Sequence, residues 1–489
     1  MRCRRLFTSI LLFGSSLLLF TFFQNVQKFE SNEQTSNQLN FKRTLHERHH
    51  AHIEVITAFS DELKPSEKFS RCDVPKVDSI KWDNEQFQQV DNENIYLFSA
   101  YYDNRYKFRN KSYHFIRVLT IVRDFIETEL TCYLWPKNQS IPLTVAASKL
   151  ELWKDMWGRG SSVPLYKSYI ISCLVPYEFH NQIIGISLSS HRCEKPRTYL
   201  PVSVVNVNTQ QQNFVVCVKA IDFEDDISRK LIEWIELQII LGASKIAIYV
   251  YNVHPNVGKV FDYYESSGLL QRINLSLPGQ LPNDAKERSQ LLRDNRMQKR
   301  RLELLPYNDC FYKHLYTHKY AVLLDIDEAI IPVVNKTWTQ LLAHVHNFNS
   351  DAMQKYPSFS VSNVYFFDSL PEADIAADVP ASMHMMKHVR RSANFSRRGF
   401  AVKSFFSTNL TLAVFNHYYL YSLYNKLNSF GLISQKTAQL NHYRNKCPQT
   451  MKDECELNFM KYTTVDTLIW KYKTELISRF EAVLNEVRV

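Results

Sequence analysis

A short apolar run that ends in three carboxylates constrains the fold of this chain most. It lies in the segment YAVLLDIDEAIIP, residues 320–332. Residues 322–324, Val-Leu-Leu, form the kind of apolar, β-prone run that becomes a buried parallel strand. Asp325, Asp327 and Glu328 follow directly. Because like charges gathered at a strand exit repel one another, the segment predicts a compensating cation at this point.

The spacing of the two aspartates predicts that this cation is a metal. Residues i and i+2 of an extended chain lie on the same side, so Asp325 and Asp327 can reach one ion. Oxygen ligands favour a hard metal such as Mg²⁺ or Mn²⁺, which typically holds a phosphate or a diphosphate. The alternative is a solvated loop after a strand, with no ligand.

The N-terminus carries an apolar stretch of 18 uncharged residues, 6–23. At 1.5 Å per residue a helix of this length spans roughly 27 Å, close to the ~30 Å hydrocarbon core of a membrane. Three arginines precede the stretch, which keeps the N-terminus cytosolic. A cleaved signal peptide is the alternative, but QNVQ, residues 24–27, is a poor cleavage site. The sequence therefore predicts a cytosolic tail (1–5), a transmembrane signal-anchor (6–23) and a lumenal remainder.

Cysteines and sequons also favour a lumenal compartment. Eight of the nine cysteines follow the apolar stretch, and an even number is typical of disulfides in an oxidising lumen, although 105 pairings stay open. No C-x-x-C pair occurs, so a zinc site made of cysteines is not expected. Six N-glycosylation sequons begin at Asn110, Asn138, Asn274, Asn335, Asn394 and Asn409.

The net charge and the low glycine content limit the classes of ligand that this chain is expected to bind. The net charge of +10 favours anionic donors or a membrane surface, whereas nucleic acid is not expected for a lumenal chain. The chain has only ten glycines and neither a G-x-G-x-x-G nor a Walker loop, so nucleotide phosphates must be held by metal and side chains. A basic stretch is either a site for diphosphate or an acidic acceptor, or a solvated loop: Arg390, Arg391, Arg397, Arg398 and Lys403.

Patterning along the chain predicts an α/β protein. Residues 24–83 are polar and are interpreted as a stem, and residues 84–206 contain short β-rich runs that predict a smaller accessory region. From residue 207 to 475 apolar strands alternate with helices, which predicts a parallel sheet covered on both faces. Residues 287–305 are predicted as one long basic helix, and residues 476–489 as a C-terminal helix.

Ligands of such sheets bind beyond the carboxyl ends of the strands. Asp222, Glu224 and Asp225 follow the first strand and are therefore expected to converge with Asp325 and Asp327. They are candidates for contacts to a nucleotide base or ribose. Capping of the next helix explains at least one of them without a function.

Two classes of metal-dependent enzyme place carboxylates after an apolar strand. In phosphatases of the haloacid-dehalogenase type the first aspartate is a nucleophile, a small residue usually follows the motif, and the motif opens the domain. Here Glu328 follows, and about 110 residues of alternating strands and helices precede the motif. Nucleotide-sugar transferases of the GT-A type instead place a D-x-D after three or four strand–helix units, as here.

Five segments in order resemble glycosyltransferase family 92. They are EWIELQIILGASKIAIYVYN (233–252), NDCFYKHLYTHKYAVLLDIDEAIIP (308–332), VYFFD (364–368), KSFFST (403–408) and LNHYR (440–444). The resemblance covers roughly residues 210–450 and implies a GT-A fold and an inverting transfer of galactose from UDP-galactose onto glycans. Members often have a His where Gln238 stands here.

The chemistry of such a transfer suggests roles for these residues. Mn²⁺ (or Mg²⁺) held by Asp327, with Asp325 bonding the ribose or the metal, would stabilise the departing diphosphate. The anomeric centre becomes oxocarbenium-like, and inversion in one step needs a carboxylate base for the acceptor hydroxyl. Asp368 and Glu372 are the candidates, although a helix start after Pro371 explains them equally well.

A third metal ligand would often be a C-terminal histidine in the GT-A fold. His442 in LNHYR is the first choice and His417 in FNHYYLY the second, and each is otherwise explained as a buried histidine among aromatic residues. The expected protein is a single-pass Golgi transferase that uses a UDP-sugar donor and a glycan or glycoprotein acceptor. A phosphatase and a non-catalytic glycan-binding protein are the alternatives.

Overall fold

The computed structural model describes residues 70–71, 86–91, 94–154, 157, 165–203, 210–348, 351–371, 378–424, 427, 430–447 and 452–489. All of them belong to one compact unit, Pro65–Val489. The predicted tail, the predicted anchor and nearly all of the predicted stem lie outside the described residues. Within these ranges, none of the helices has the length and apolarity needed to cross a membrane.

The first part of the unit is a closed β-sheet. Its strands are β1 (Ser70–Arg71), β2 (Gln88–Gln89), β3 (Ile95–Phe108), β4 (Lys111–Arg123), β5 (Thr131–Pro136), β6 (Leu143–Glu151), β7 (Tyr166–Val175), β8 (Ile183–Ser189) and β9 (Leu200–Ser203). The order is β1-β6-β5-β8-β9-β3-β4-β7, and β6 also pairs with β7. This last pairing closes the sheet into a barrel, which leaves few free edges. Its interior is apolar, with Leu97, Ile116 and Val118 fully buried.

A mixed sheet follows, flanked by helices, and it confirms the α/β prediction. The elements in chain order are β10 (Gln212–Asp222), α1 (Ser228–Leu241), β11 (Ala243–Asn252), α2 (Pro255–Ser266), β12 (Leu270–Asn274), α3 (Ala285–Asp294), α4 (Arg296–Leu302), α5 (Leu304–Lys313) and β13 (His318–Leu323). Strands β12, β11, β10 and β13 are adjacent in that order and parallel. The carboxyl ends of all four therefore meet at one edge.

Helix α1 follows from its sequence. Its buried face carries Leu231, Trp234 and Ile235 at helical spacing. Gly242 ends the helix at φ 119°, a left-handed conformation that glycine adopts without steric strain, and its N–H donates to the carbonyl oxygen of Gln238 over 3.1 Å.

The remaining elements complete the site and the C-terminus. They are β14 (Glu328–Pro332), α6 (Trp338–Phe348), α7 (Ala352–Lys355), β15 (Ser358–Val361), β16 (Asn363–Phe367), β17 (Arg390–Ser392), β18 (Lys403–Ser407), β19 (Thr411–Val414), β20 (Tyr419–Ser422), β21 (Gly431–Leu432), β22 (Ala438–Arg444), α8 (Lys452–Glu454), β23 (Thr463–Val465) and α9 (Lys473–Val487). Strand β18 extends the large sheet antiparallel to β13. Strand β15 pairs antiparallel with β18 and so runs in the same direction as β13, and β21 follows at the edge. Strands β14, β22 and β16 form a small sheet beside it, in which β22 is central.

The long basic helix predicted over 287–305 is wrong, because three helices occupy this region. Asn295, between α3 and α4, has φ −108° and ψ 75°, which is not helical. Its side-chain oxygen accepts a hydrogen bond from the N–H of Gln298 over 2.9 Å and so starts a new helix.

The barrel packs on the mixed sheet through a buried carboxylate. Asp309 of α5 accepts hydrogen bonds from Ser99 (2.5 Å) and Tyr101 (2.6 Å) of β3 and from Tyr249 (2.5 Å) of β11. Each hydroxyl and the carboxylate thereby satisfy one another away from water. This contact positions α5, and with it the end of β13, against both sheets.

Disulfides are present, as the cysteine count predicted. They join Cys132 to Cys173, Cys217 to Cys310 and Cys447 to Cys455. Cys193 is also disulfide-bonded. The Cys217–Cys310 bridge ties β10 to α5 across a sequence separation of 93.

Candidate functional site

A tight turn between β13 and β14 brings the three carboxylates together. The backbone N–H of Glu328 donates to the carbonyl oxygen of Asp325 over 3.0 Å, and the N–H of Asp325 donates to Glu328 Oε2 over 3.0 Å. One carboxylate oxygen each of Asp325, Asp327 and Glu328 lies within 4.8 Å of the others. The structure therefore gathers the two aspartates as their spacing suggested.

Two lysines compensate most of this negative charge, which the sequence reasoning missed. Lys403 Nζ, on β18, lies 3.1 Å from Asp325 Oδ2 and 2.9 Å from Glu328 Oε2, and the Lys403 side chain is fully buried. Lys219 Nζ, on β10, lies 3.2 Å from Asp325 Oδ1 and 3.3 Å from Glu303 Oε1. The repulsion between the carboxylates therefore does not require a metal ion for relief.

These lysines also set the ionisation of the site. Burial raises the pKa of Asp325, but the ammonium groups of Lys219 and Lys403 outweigh this effect and hold that pKa well below its usual range. Burial raises the pKa of Glu328, and Lys403 offsets only part of the rise. Asp325 is thus a fixed anion, held in one orientation from both sides.

Asp327 and His442 form the open edge of the cluster. His442 lies on β22 directly opposite Glu328, and its Nε2 is 3.5 Å from Asp327 Oδ2 while its Nδ1 is 3.5 Å from Glu328 Oε1. The Asp327 side chain is 46% exposed, against 3% for Glu328. Among the described residues His442 Nδ1 has no hydrogen-bond partner.

This donor set fits a divalent metal. A carboxylate oxygen and an imidazole nitrogen that face each other across 3.5 Å, with one side open to solvent, are ligands that Mn²⁺ accepts. Asp327 and His442 would hold the ion, with Asp325 beside them. Of the three residues predicted as metal ligands, Asp325 is the one already neutralised by lysines.

His417, the second choice for a histidine ligand, has another partner. Its Nδ1 hydrogen-bonds with the backbone carbonyl oxygen of Val402 over 2.9 Å, and its ring stands edge-on to Phe415. Burial and the charge of Lys403 lower its pKa to about 3. The structure thus places His417 as a buried histidine among aromatic residues.

The three acidic residues after β10 have different surroundings. Asp222 lies 3.4 Å from Arg288 Nη2, whereas Glu224 and Asp225 are exposed. None of the three caps α1: the carboxylate at the start of this helix is that of Asp226, one residue before the N-cap residue Ile227, and it accepts a hydrogen bond from the N–H of Ser228 over 3.0 Å.

Arg288, like Lys219, is a residue near the site that the sequence analysis did not identify. The side chain is only 6% exposed, and its guanidinium lies over the ring of Tyr251, 5.4 Å from the centroid. A buried arginine next to Asp222 at the carboxyl edge of the sheet can bind an anionic or planar group.

Of the two candidate bases, Asp368 lies among the described residues and Glu372 does not. Asp368 follows β16, and its Oδ1 lies 2.9 Å from His384 Nε2 and 3.7 Å from His388 Nε2. Glu372 lies outside the described residues.

The basic stretch does not form one cluster. Arg391 pairs with Asp466 (2.6 Å) and Arg397 with Glu454 (3.0 Å), while Arg398 is exposed. Lys403 is buried in the acidic turn, so its interpretation as part of a solvated loop is wrong.

Gln238, where family members often carry a histidine, is fully buried on α1. Neither atom of its amide has a hydrogen-bond partner among the described residues. A buried amide without partners destabilises a fold by about 1–3 kcal/mol. We therefore expect Gln238→Met, which conserves volume without the amide, to raise the free energy of unfolding by about 1 kcal/mol in urea titrations.

The matched control for this change is Gln290→Met on the exposed face of α3, which should leave stability within about 0.5 kcal/mol. A loss of stability in Gln238→Met would show that an ordered water or another partner satisfies the amide.

Comparison with known proteins places the chain in a family. The family model described as Glycosyltransferase family 92 matches residues 212–480, more than half of the chain. No curated protein matches it in sequence. Among solved structures, the crystal structure of S. aureus TarS 1–349 aligns with 10% identity and a TM-score of 0.23, over 56% of this chain and 72% of that one. The matched region contains β10 to β23, including Asp325, Asp327 and His442, and the chain belongs to glycosyltransferase family 92.

Proposed function

We propose that this glycosyltransferase is a metal-dependent, inverting enzyme of the GT-A type that moves a hexose from a UDP-sugar onto a glycan or glycoprotein acceptor. UDP-galactose is the donor we favour, because the family resemblance implies it. The observation that carries the proposal is the pairing of Asp327 with His442 at 3.5 Å, beside the exit of a parallel strand.

The sheet supports the GT-A assignment. Four parallel strands, β12-β11-β10-β13, are extended by β18, which is antiparallel to β13, and then by β15, and the acidic turn follows β13. A ligand crevice is expected beyond the carboxyl edge of such a sheet. Asp222, Lys219 and Asp325 all lie at that edge, at the ends of β10 and β13.

The residues of the chain have separable tasks in this proposal. Asp327 and His442 hold Mn²⁺ (or Mg²⁺), which when bound supplies positive charge to the departing diphosphate. Asp325, fixed by Lys219 and Lys403, accepts a hydrogen bond from the donor ribose. Arg288 and Asp222 border the same edge and are available to the nucleotide.

Inversion needs a carboxylate that takes the proton of the acceptor hydroxyl. Asp368 Oδ1 already lies 2.9 Å from His384 Nε2, which favours Glu372 of the two sequence candidates.

We also propose a Golgi location, with residues 6–23 as a type II anchor and the catalytic unit in the lumen. The disulfides support an oxidising compartment. Five of the six sequon asparagines are exposed and accessible to glycosylation, namely Asn110, Asn138, Asn274, Asn394 and Asn409.

The test is a donor and acceptor screen with the full-length protein. Release of UDP and transfer to a glycan array are measured for UDP-galactose, UDP-glucose, UDP-N-acetylglucosamine and UDP-glucuronic acid, with Mn²⁺ and with EDTA. Transfer that needs the metal and is fastest with UDP-galactose is the expected result. Glycan binding without turnover of any donor would overturn the proposal in favour of a non-catalytic binding protein.

A further inference from the structure

A second cluster of metal-binding side chains lies outside the acidic turn. Asp368, His384 and His388 each offer one ligand atom, and these atoms lie within 4.8 Å of one another. We propose that these three residues hold a Zn²⁺ ion at a site separate from Asp327 and His442. The proposal does not depend on the donor, the acceptor or the metal of the transfer reaction.

The contacts of the His388 ring are those of a metal ligand. Its Nδ1 lies 2.8 Å from the backbone carbonyl oxygen of His384, and since a carbonyl oxygen only accepts, Nδ1 carries the proton. In the neutral ring Nε2 then presents a lone pair. That lone pair faces Asp368 Oδ1, another acceptor, at 3.7 Å. Two acceptors in this arrangement repel each other unless a cation lies between them.

An ordinary Asp–His hydrogen bond accounts for only part of the cluster. It explains the 2.9 Å contact between Asp368 Oδ1 and His384 Nε2. It does not account for His388, whose Nε2 faces the same carboxylate oxygen at 3.7 Å, beyond hydrogen-bonding distance, while its Nδ1 is engaged by a backbone carbonyl oxygen. A single metal ion satisfies all three side chains at once.

The segment that carries both histidines is held rigidly. Glu233 of α1 is fully buried, and its carboxylate accepts hydrogen bonds from the backbone N–H groups of His384 (2.6 Å), Met385 (2.9 Å) and Met386 (2.9 Å). Trp470 Nε1 donates to the carbonyl oxygen of Met386 over 2.9 Å. Such outer contacts fix the orientation of ligands before a metal binds.

The cluster and the acidic turn lie on opposite faces of the small sheet. His442 and Tyr443 are consecutive in β22, so their side chains point to opposite faces. Tyr365 packs with His442 at 5.4 Å, whereas Phe366 stacks on Tyr443 at 4.7 Å. The His384 ring stands edge-on to Tyr443 at 5.9 Å and therefore belongs to the face away from His442.

The chemistry of the ligands selects zinc. Two imidazoles and one carboxylate are a frequent zinc set, and three protein ligands leave a fourth position for water. Ligand atoms about 2.0–2.2 Å from a tetrahedral ion are about 3.3 Å apart. The contacts of 2.9 Å and 3.7 Å bracket this value, so small rotations of the rings are enough. Side-chain exposures of 28% for Asp368, 15% for His384 and 16% for His388 leave a path for the ion.

Zinc binding by the full-length protein tests the proposal. The stem histidines His46, His49, His50 and His52 are changed to Gln in every protein compared, so that they do not bind the metal. Bound Zn²⁺ is measured by mass spectrometry of the metal after dialysis, and affinity by competition with a chelating dye. We expect His388→Gln and Asp368→Asn each to weaken binding at least about 10-fold, the lower end of the loss seen when even an outer partner of a metal ligand is removed.

Two further changes separate this site from other histidines and from the acidic turn. Because Asp327 and His442 also offer ligands to Zn²⁺, Asp327→Asn is introduced into every protein compared and removes the open carboxylate of the turn. In this background His346→Gln, which removes an exposed histidine of α6, should keep the Zn²⁺ affinity of the parent protein. Equal affinity in the parent and His388→Gln, or an equal loss in His346→Gln, would overturn the proposal.

A measurement on the unmutated site guards against variants that fail to fold. Diethylpyrocarbonate modifies accessible histidines, and peptide mass spectrometry locates the modified rings. Zn²⁺ should protect His384 and His388 from modification and leave His346 unaffected. Equal modification of His384 and His388 with and without Zn²⁺ would exclude the site.

Discussion

Changing Asp327 to Asn should lower kcat/KM for sugar transfer by at least about 10²-fold, while the fold stays intact. Asp327 is the most exposed carboxylate of the turn and faces His442 at 3.5 Å, so the substitution removes a charged metal ligand and disturbs little packing. A metal that stabilises a leaving group contributes several kcal/mol, and each 1.36 kcal/mol corresponds to a factor of ten in rate. Initial rates over a range of Mn²⁺ concentrations measure the effect, and Asn should also raise the Mn²⁺ concentration needed for half-maximal rate.

The matched control is Asp262→Asn on α2, an exposed aspartate that pairs with Arg272. It should keep the parent rate and metal dependence, because surface ion pairs contribute little. If Asp327→Asn transferred sugar at the parent rate with unchanged Mn²⁺ dependence, the assignment of the metal to this turn would be wrong.

Asp325→Asn is expected to behave differently from Asp327→Asn. It leaves Lys219 and Lys403 without their shared carboxylate, so it should lower stability as well as activity. The free energy of unfolding and the transfer rate are therefore compared for the two variants. Asp327→Asn should lower only the rate, whereas Asp325→Asn should lower both.

Local patterns predicted much of the α/β core. The apolar spacing in α1 and the glycine that ends it, Gly242, are features of neighbouring residues, and the structure has both. The break at Asn295 was missed because its polar neighbours fit a solvated helix as well as a cap. Closure of the β-barrel could not be predicted from the sequence either. It depends on the pairing of β6 with β7, and the register of these strands is set by the whole sheet.

In the site, too, the features set by neighbouring residues were predicted, and those set by pairing between distant strands were not. Asp325 and Asp327 were found because two residues at spacing i, i+2 share one side of a strand exit. Lys403 was misread because it follows four arginines in the sequence, a pattern that is typical of a solvated stretch. It is buried since β18 pairs antiparallel with β13: Phe405 lies opposite Val322, which brings Lys403 next to the exit of β13. The signal that was available for the second cluster is H-M-M-K-H, residues 384–388, in which two histidines at spacing i, i+4 flank two methionines and a lysine.

Replacing Lys403 by Met should destabilise the protein by about 3–5 kcal/mol, the range for breaking a buried ion pair by removing one partner. Lys403 is fully buried between Asp325 and Glu328 and also hydrogen-bonds to Asn416 over 2.5 Å. Met retains the length of the side chain but no charge, so two buried carboxylates lose their common counter-charge. Unfolding in urea, followed by tryptophan fluorescence, measures the loss.

The pH dependence of this loss follows from its electrostatic origin. Lys403 lowers the pKa of Asp325 and of Glu328 in the folded protein, so its removal raises both values. A carboxyl whose folded pKa lies above its unfolded pKa stabilises the fold when protonated, below the unfolded pKa, and loses that contribution as the pH rises through the folded value. The stability deficit of Lys403→Met should therefore be smaller near pH 5 than near pH 8.

Two further variants separate charge from packing in Lys403→Met. Lys355→Met removes an exposed lysine that pairs with Asp351, and it should change stability by less than about 0.5 kcal/mol. Adding Glu328→Gln to Lys403→Met should recover part of the lost stability, because it removes the buried carboxylate for which Lys403 was the lysine partner, whereas Asp325 keeps Lys219. A double variant that is no more stable than Lys403→Met, with a deficit that is independent of pH, would show that Lys403 stabilises the turn by packing and not by its charge.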